Sequence, residues 1–191
     1  MTKKIAITGG IGSGKSVVAR ILNAMGYECF DCDLEAKLIM DSSQEIMRLL
    51  TSDIHPKAVE NGRINRKIIS ETVFADPDKL NRLNAIVHGA VKDEIKRRVA
   101  MSTSDPYFIE TAILYESGID RMVDEVWVVD ADTDTRIERV MSRNALSREE
   151  VMARINSQNL THDRVHPIVK VIHNNDSDAL LPQIHALLNN C

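Results

Sequence analysis

The chain has 191 residues, of which 43% are hydrophobic and 27% charged, and a formal net charge of −4 from 24 basic and 28 acidic side chains. That length suits one compact core with room for a small insertion. A strongly basic balance would suggest nucleic acid and this one does not, and no apolar run approaches the ~20 residues that span a bilayer.

Met1 leads into a polar-flanked strand with no signal-peptide-like apolar stretch, so a cytoplasmic protein is expected. Lys4 to Thr8 reads as that strand, and its unbroken Ile5-Ala6-Ile7 suits a central parallel strand covered on both faces. After a Gly-rich turn, Val17, Val18, Ile21, Leu22 and Met25 form one stripe of a helix from about Lys15 to Met25, closed by Gly26. Tyr27 to Phe30 is expected as a second strand, running into Asp31-Cys32-Asp33. Residues 34 to 101 read as mainly helical with no strand, and Asp76-Pro77 marks a helix start within them. Tyr107 to Glu110 and Glu125 to Val129 are the third and fourth strands. Asp132 or Thr133 can cap a helix to about Arg143, and Ser147-x-x-Glu150 matches a capping box. Ile168 to Ile172 is the fifth strand, and a helix from about Asp178 follows. The alternation makes the class α/β: a five-stranded parallel sheet with helices on both faces.

Cys29, Cys32 and Cys191 are too few, and odd in number, for a disulfide framework. Cys29 and Cys32 have C-x-x-C spacing, but no second pair follows, so Cys29 is expected to pack on a strand and Cys32 to sit between two acids. His162 and His166 lie four apart, without a nearby third metal ligand.

The strongest signal is Gly9-Gly10-Ile11-Gly12-Ser13-Gly14-Lys15-Ser16, which fits G-x-x-x-x-G-K-[ST] between a predicted strand and a predicted helix. Glycines allow positive φ and bring backbone N–H groups close to phosphate oxygens. The loop opens a helix, whose N-terminus favours an anion. Lys15 can reach the β- and γ-phosphates, and the Ser16 hydroxyl can hold magnesium. A chain that binds ATP with Mg2+ through Gly10, Ile11, Gly12, Ser13, Gly14, Lys15 and Ser16 is therefore expected.

No N-K-x-D guanine motif is present, which argues against a GTPase-like switch. Asp130, after an apolar strand, and Glu110 are rival positions for an acid that helps place magnesium, and a helix-capping role for Asp130 is the stronger reading. A kinase gains support from Asp33, which follows the second strand; ligands of open α/β sheets bind at that edge. A carboxylate there can accept the proton of an attacking hydroxyl, although one or both of Asp31 and Asp33 could instead cap the next helix. Six of the 14 arginines, Arg136, Arg139, Arg143, Arg148, Arg154 and Arg164, fall in one segment without lysine. Guanidinium forks match a transferring phosphoryl group, and a helical flap carrying them would exclude water. Most of these arginines are expected on a solvated helix face, with pairs such as Glu150 and Arg154; Arg143, at a helix end, is the candidate clamp.

These residues resemble the dephospho-CoA kinase family over nearly the full chain. The resemblance is carried by Ile7 to Ser16, by Phe30-Asp31-Cys32-Asp33 with Ala36-Lys37, by Gly62 to Arg66, and by Val73 to Pro77 with Leu83 to His88. It continues through Arg139 to Arg143, Ser147 to Gln158 and Val171 to Asn175. The chain departs from the family's pattern at Gly89, where Pro is usual, at Glu110 to Glu116, and at Arg136, where Gln is frequent. The resemblance implies phosphorylation of the ribose 3′-hydroxyl of dephospho-CoA by ATP, with Asp33, Lys15 and Arg143 catalytic. It implies Lys37, Arg66 and His88 toward the acceptor and Asn175 near the ATP base. The implied organisation is a nucleotide-binding core of residues 1–33 and 104–191, a helical acceptor-binding insertion of residues 34–103, and a small helical lid at 143–160. The expected partners are ATP and dephospho-CoA, with no nucleic acid or membrane, in a monomer or weak homo-oligomer. A nucleoside or nucleotide kinase with another acceptor, or a non-catalytic ATP-binding regulator, are the alternatives; the intact set Lys15, Ser16 and Asp33 argues against the regulator.

Overall fold

The computed structural model describes residues 2–158 and 165–190. Cys191, His162, Arg164 and the last two positions of the expected lid lie outside the described residues. In chain order the elements are β1 (Lys4–Thr8), α1 (Lys15–Ala24), β2 (Cys29–Asp31), α2 (Cys32–Ser42), α3 (Gln44–Leu49), β3 (Val59–Glu60), β4 (Arg63–Ile64), α4 (Arg66–Ala75) and α5 (Pro77–Met101). After these come β5 (Tyr107–Glu110), α6 (Leu114–Ser117), β6 (Glu125–Asp130), α7 (Thr133–Asn144), α8 (Arg148–Ser157), β7 (Val169–His173) and α9 (Leu180–Leu188). They fall into two compact units, Met1–Phe30 with Ser102–Cys191, and Asp31–Met101.

The first unit is built on a five-stranded sheet in the order β2-β5-β1-β6-β7. β1 pairs in parallel with β5 and β6, and β6 with β7. Ile5, Ala6 and Ile7 are fully buried, as a central strand with no polar position requires. Around them close Val18 and Leu22 of α1, Phe108, Trp127, Ile172 and Ile184 of α9. The Phe108 and Trp127 ring centroids are 5.2 Å apart, and each such buried ring contributes on the order of 2 kcal/mol through area alone. The Trp127 indole N–H donates to Glu125 (2.7 Å), a carboxylate that also pairs with Lys3 (2.9 Å) and Lys170 (2.8 Å). Burial raises the Glu125 pKa, and the bonds from Lys170, Lys3 and Trp127 outweigh it and leave the pKa lowered.

The second strand begins at Cys29 rather than Tyr27, because the intervening residues finish α1. Gly26 (φ 95) donates its N–H to Asn23 O and Tyr27 to Leu22 O, the paired bonds of a Schellman ending. The last helix starts at Leu180, since the Asp178 carboxylate is occupied earlier, accepting the Asn175 N–H at 2.8 Å. α7 and α8 join through Ile137, Val140 and Val151, with Ile11 packed against that cluster. The Ser147 and Glu150 capping box forms in both directions. Glu150 is thereby used at the helix start rather than on Arg154.

The second unit packs Ile46, Leu50, Ile54, Ala58, Ile69 and Ile86 together. Asp76 caps α5 as expected, its Oδ1 accepting from Asp78 and Lys79. The expectation that this region holds no strand is corrected by the hairpin of β3 and β4. Asn61 (φ 51) and Gly62 (φ 71) make its two-residue turn; Asn-Gly is the dipeptide that a primed hairpin turn selects. Each strand is two residues long, too short for an alternating apolar pattern to register.

Candidate active site

The phosphate-loop motif lies between β1 and α1, in the first unit. Gly14 is the helix N-cap with φ 96, and no side chain caps the N–H groups of the first turn. A Cβ at Gly14 would sit 2.0 Å from Asn174 Nδ2. Asn174 is buried and donates that nitrogen to Ser13 O at 2.7 Å. Gly10 is a glycine for a different reason: a Cβ there would lie 2.2 Å from Arg136 Nη2. The loop is therefore clasped from two sides, by the residue following β7 and by α7. The Lys15 ammonium folds back over it, donating to Gly9 O at 2.8 Å and to Gly10 O at 3.4 Å. Among the described residues the backbone N–H groups of Gly12 and Gly14 have no acceptor. These donors, held by a fixed backbone at a helix N-terminus, are what an anion needs.

Arg136 is an exception to the solvated face expected for most of these arginines. It is 7% exposed, and its Nε donates to Ile11 O at 2.9 Å. Burial pulls its pKa below the ordinary value, while the nearby Asp130 carboxylate raises it. Arg136 reaches inward because α7 packs its Ile137 and Val140 into the core beside Ile11. Arg139 is half-buried, pairing through Nη2 with Asp176 at 3.0 Å while its buried Nη1 lies 3.9 Å from where a Gly14 Cβ would sit; Arg148, on the surface, pairs with Asp134. Arg143, in the last turn of α7, is exposed, and its Nε donates to Asn144 Oδ1 at 2.9 Å.

Two cavities flank the loop. One of about 470 Å³ is lined by Thr8, Gly10, Tyr115, Asp130, Arg136 and Gln158 among others. The other, about 610 Å³, is lined by Arg139, Asn174, Asn175, Asp176 and Leu180. Asn175 thus lines a cavity beside the loop, and its Oδ1 accepts the Asp132 N–H at 2.8 Å. Glu110 ends β5 and stands opposite Ile7 in register. Burial, then the Glu110 charge, push the Cys29 thiol up to about 12, so it is an inert packed thiol. Among the described residues no group of three or more His, Cys, Asp or Glu could hold a metal ion by itself.

In the second unit Asp31, not Asp33, is the helix cap: its Oδ1 accepts the N–H of both Asp33 and Leu34 at 3.0 Å. That leaves the Asp33 carboxylate exposed in the first turn of α2. Lys37 and Asp41 follow at successive i,i+4 positions on the same face. Arg66, first in α4, donates Nη2 to both Asp41 oxygens, at 2.8 and 2.7 Å. His88 lies on α5 and is half-buried. Asp33, Lys37 and Arg66 therefore share one charged row, while His88 sits on a separate helix.

Spacing alone did not reveal Arg136, Asn174 or Gln158 as neighbours of the loop. Gln158 Oε1 accepts the Ile11 N–H at 2.7 Å, across 147 residues of chain. Such contacts come from tertiary packing, and only the loop end of each pair carries a local signature.

The family model for dephospho-CoA kinase matches residues 3–179. A dephospho-CoA kinase of Listeria innocua is 33% identical over 184 residues, covering 93% of this chain and 90% of its own. One from Dehalococcoides mccartyi is 36% identical, covering 91% and 89%. A crystal structure of a Thermus thermophilus protein superposes with a TM-score of 0.82 at 33% identity, over 99% of this chain and 97% of that one. A shikimate kinase from Acinetobacter baumannii, in complex with shikimate, shares the fold alone, with a TM-score of 0.55 at 13% identity over 100% of this chain and 95% of its own. Loop, sheet order and full-length similarity agree: the chain belongs to the dephospho-CoA kinase family.

Proposed function

We propose that the chain transfers the γ-phosphoryl group of ATP to the ribose 3′-hydroxyl of dephospho-CoA, releasing CoA and ADP. The observation that carries this reading is the clasped loop, whose backbone is held by Asn174 and Arg136 from within the protein. Preorganised donors cost no rearrangement when charge develops on the phosphoryl group. Gly10, Ile11, Gly12, Ser13 and Gly14 supply the backbone cradle. Lys15 leaves the Gly9 and Gly10 carbonyls for the phosphates, and Asn175 borders the base. Arg143 is exposed and would exchange its bond to Asn144 for the nucleotide, its fork spanning two equatorial oxygens of the transferring group.

Asp33 accepts the proton of the 3′-hydroxyl as its oxygen bonds to the γ-phosphorus and the bond to the ADP oxygen breaks. Its exposed carboxylate, spared from capping by Asp31, supports this role. Lys37, Arg66 and His88 face the acceptor, whose pyrophosphate calls for cations. Magnesium fits the chain: the Ser16 hydroxyl lies in the first turn of α1, and with no carboxylate cage among the described residues the ion would be held by Ser16 and the phosphates. Bound there, Mg2+ would offset charge on the β- and γ-oxygens.

The reading assigns nucleotide binding to residues 1–33 and 104–191, acceptor binding to 34–103 and a lid to 143–160. The proposed enzyme is cytoplasmic and acts as a monomer or weak homo-oligomer; no described helix is long and apolar enough to cross a membrane. The test is ADP release with ATP, Mg2+ and a panel of acceptors. Release with dephospho-CoA alone is expected; release driven by nucleosides instead would overturn the assignment of the acceptor.

A further inference from the structure

Both backbone polar groups of Ile11, which belong to two successive peptide units, are held from outside the loop. Its C=O accepts from Arg136 Nε at 2.9 Å, and its N–H donates to Gln158 Oε1 at 2.7 Å. The Ile11 side chain is packed against Ile137, Val140 and Val151 of α7 and α8. Gln158 is the C-cap of α8, its own N–H bonded to Ile155 O at 3.2 Å. The end of α8 is thus fastened to the third residue of the phosphate loop. Both Gln158 and Arg136 line the 470 Å³ cavity beside Gly10.

The two attachments differ in kind. Arg136 is buried, and its Nη2 has no hydrogen-bond partner among the described residues. A buried cation gripping a carbonyl has little freedom to leave. Gln158 is only half-buried and is joined to the loop by a neutral amide oxygen. A phosphoryl oxygen bonds a backbone N–H about twice as strongly as a neutral acceptor does. An anion in the loop therefore outcompetes Gln158 for the Ile11 N–H, while Arg136 keeps its hold on the Ile11 C=O.

We propose that Gln158 is a positioning residue that occupies the Ile11 N–H in the nucleotide-free chain and gives it up to the triphosphate. The end of α8 is then tied to the loop only while the loop is empty. The proposal rests on the ATP reading of the loop and adds to it a competition inside the protein. Loss of one neutral hydrogen bond corresponds to about two- to tenfold in an equilibrium constant.

The test is the Mg-ATP dissociation constant of the wild type, Gln158→Ala and Gln158→Glu, with melting temperature as the check on folding. Gln158→Ala removes the competitor and is expected to bind about two- to tenfold more tightly. Gln158→Glu holds the N–H with a charged acceptor and repels phosphate, and is expected to bind at least about tenfold more weakly. In the wild type, ATP should increase amide hydrogen exchange over residues 148–158; in Gln158→Ala that increase should vanish. An Ala variant that binds more weakly means that Gln158 touches the nucleotide, and one that binds equally means that the bond plays no part; either result overturns the proposal. A wild type that binds no ATP overturns the loop reading and this inference together, whereas normal wild-type binding with the wrong order of variants overturns the inference alone.

Discussion

The phosphate loop and the charged row of the second unit solve opposite problems. In the loop the working groups are backbone N–H donors, and every neighbour fixes them: Asn174 holds Ser13, Arg136 holds Ile11, and the glycines leave no space for a side chain. In the row formed by Asp33, Lys37 and Arg66 the working groups are exposed side chains on helices, with Arg66 paired to Asp41 at the surface. Phosphate tails are the same in every nucleotide, so a rigid mould suffices for them. An acceptor must be oriented with one hydroxyl forward, and long mobile side chains can gather around it after it arrives.

Substitutions in the two regions should therefore fail differently. The largest effect is expected from Lys15→Ala, which removes the one mobile charge of the mould and should lower kcat/KM by at least ~100-fold. Gly14→Ala comes next. Its Cβ would strike Asn174 and its φ of 96 suits glycine, so ATP affinity should fall by about tenfold or more, as read by calorimetry. Adding Asn174→Ala should restore only part of that loss, because the backbone strain stays. Arg66→Ala should raise KM for dephospho-CoA by about tenfold and leave ATP affinity unchanged; a matching loss of ATP affinity would erase the distinction between the two regions.

The smallest effect concerns stability. The Cys29 thiol is raised from 9.0 to about 12, so the folded chain keeps a proton that the unfolded chain releases. Stability from this group is fully present below pH ~9 and is lost as pH rises toward about 12. Cys29→Ala should flatten that part of a urea-midpoint profile against pH, and an unchanged slope would show that Cys29 does not set it.

The loop and its sheet could be read from sequence because their constraints are local. Ile5-Ala6-Ile7 and Gly9 to Ser16 each state their environment within eight residues. The helix starts at Asp76 and Ser147 were legible for the same reason, since a cap and its partner lie two or three positions apart. The β3–β4 hairpin announced itself only through Asn61-Gly62, a two-residue signal inside an otherwise helical composition. Arg136 resembled its surface neighbours because helix periodicity does not say which turn of α7 meets the loop. The choice between Asp31 and Asp33 needed a hydrogen bond to decide it, since both acids stand at the same helix start.

The most direct measurement is a single-turnover phosphoryl-transfer rate for Asp33→Ala with its ATP dissociation constant measured on the same sample. Binding should stay normal while the rate drops by at least ~100-fold. A nearly normal rate would mean that some other group takes the hydroxyl proton.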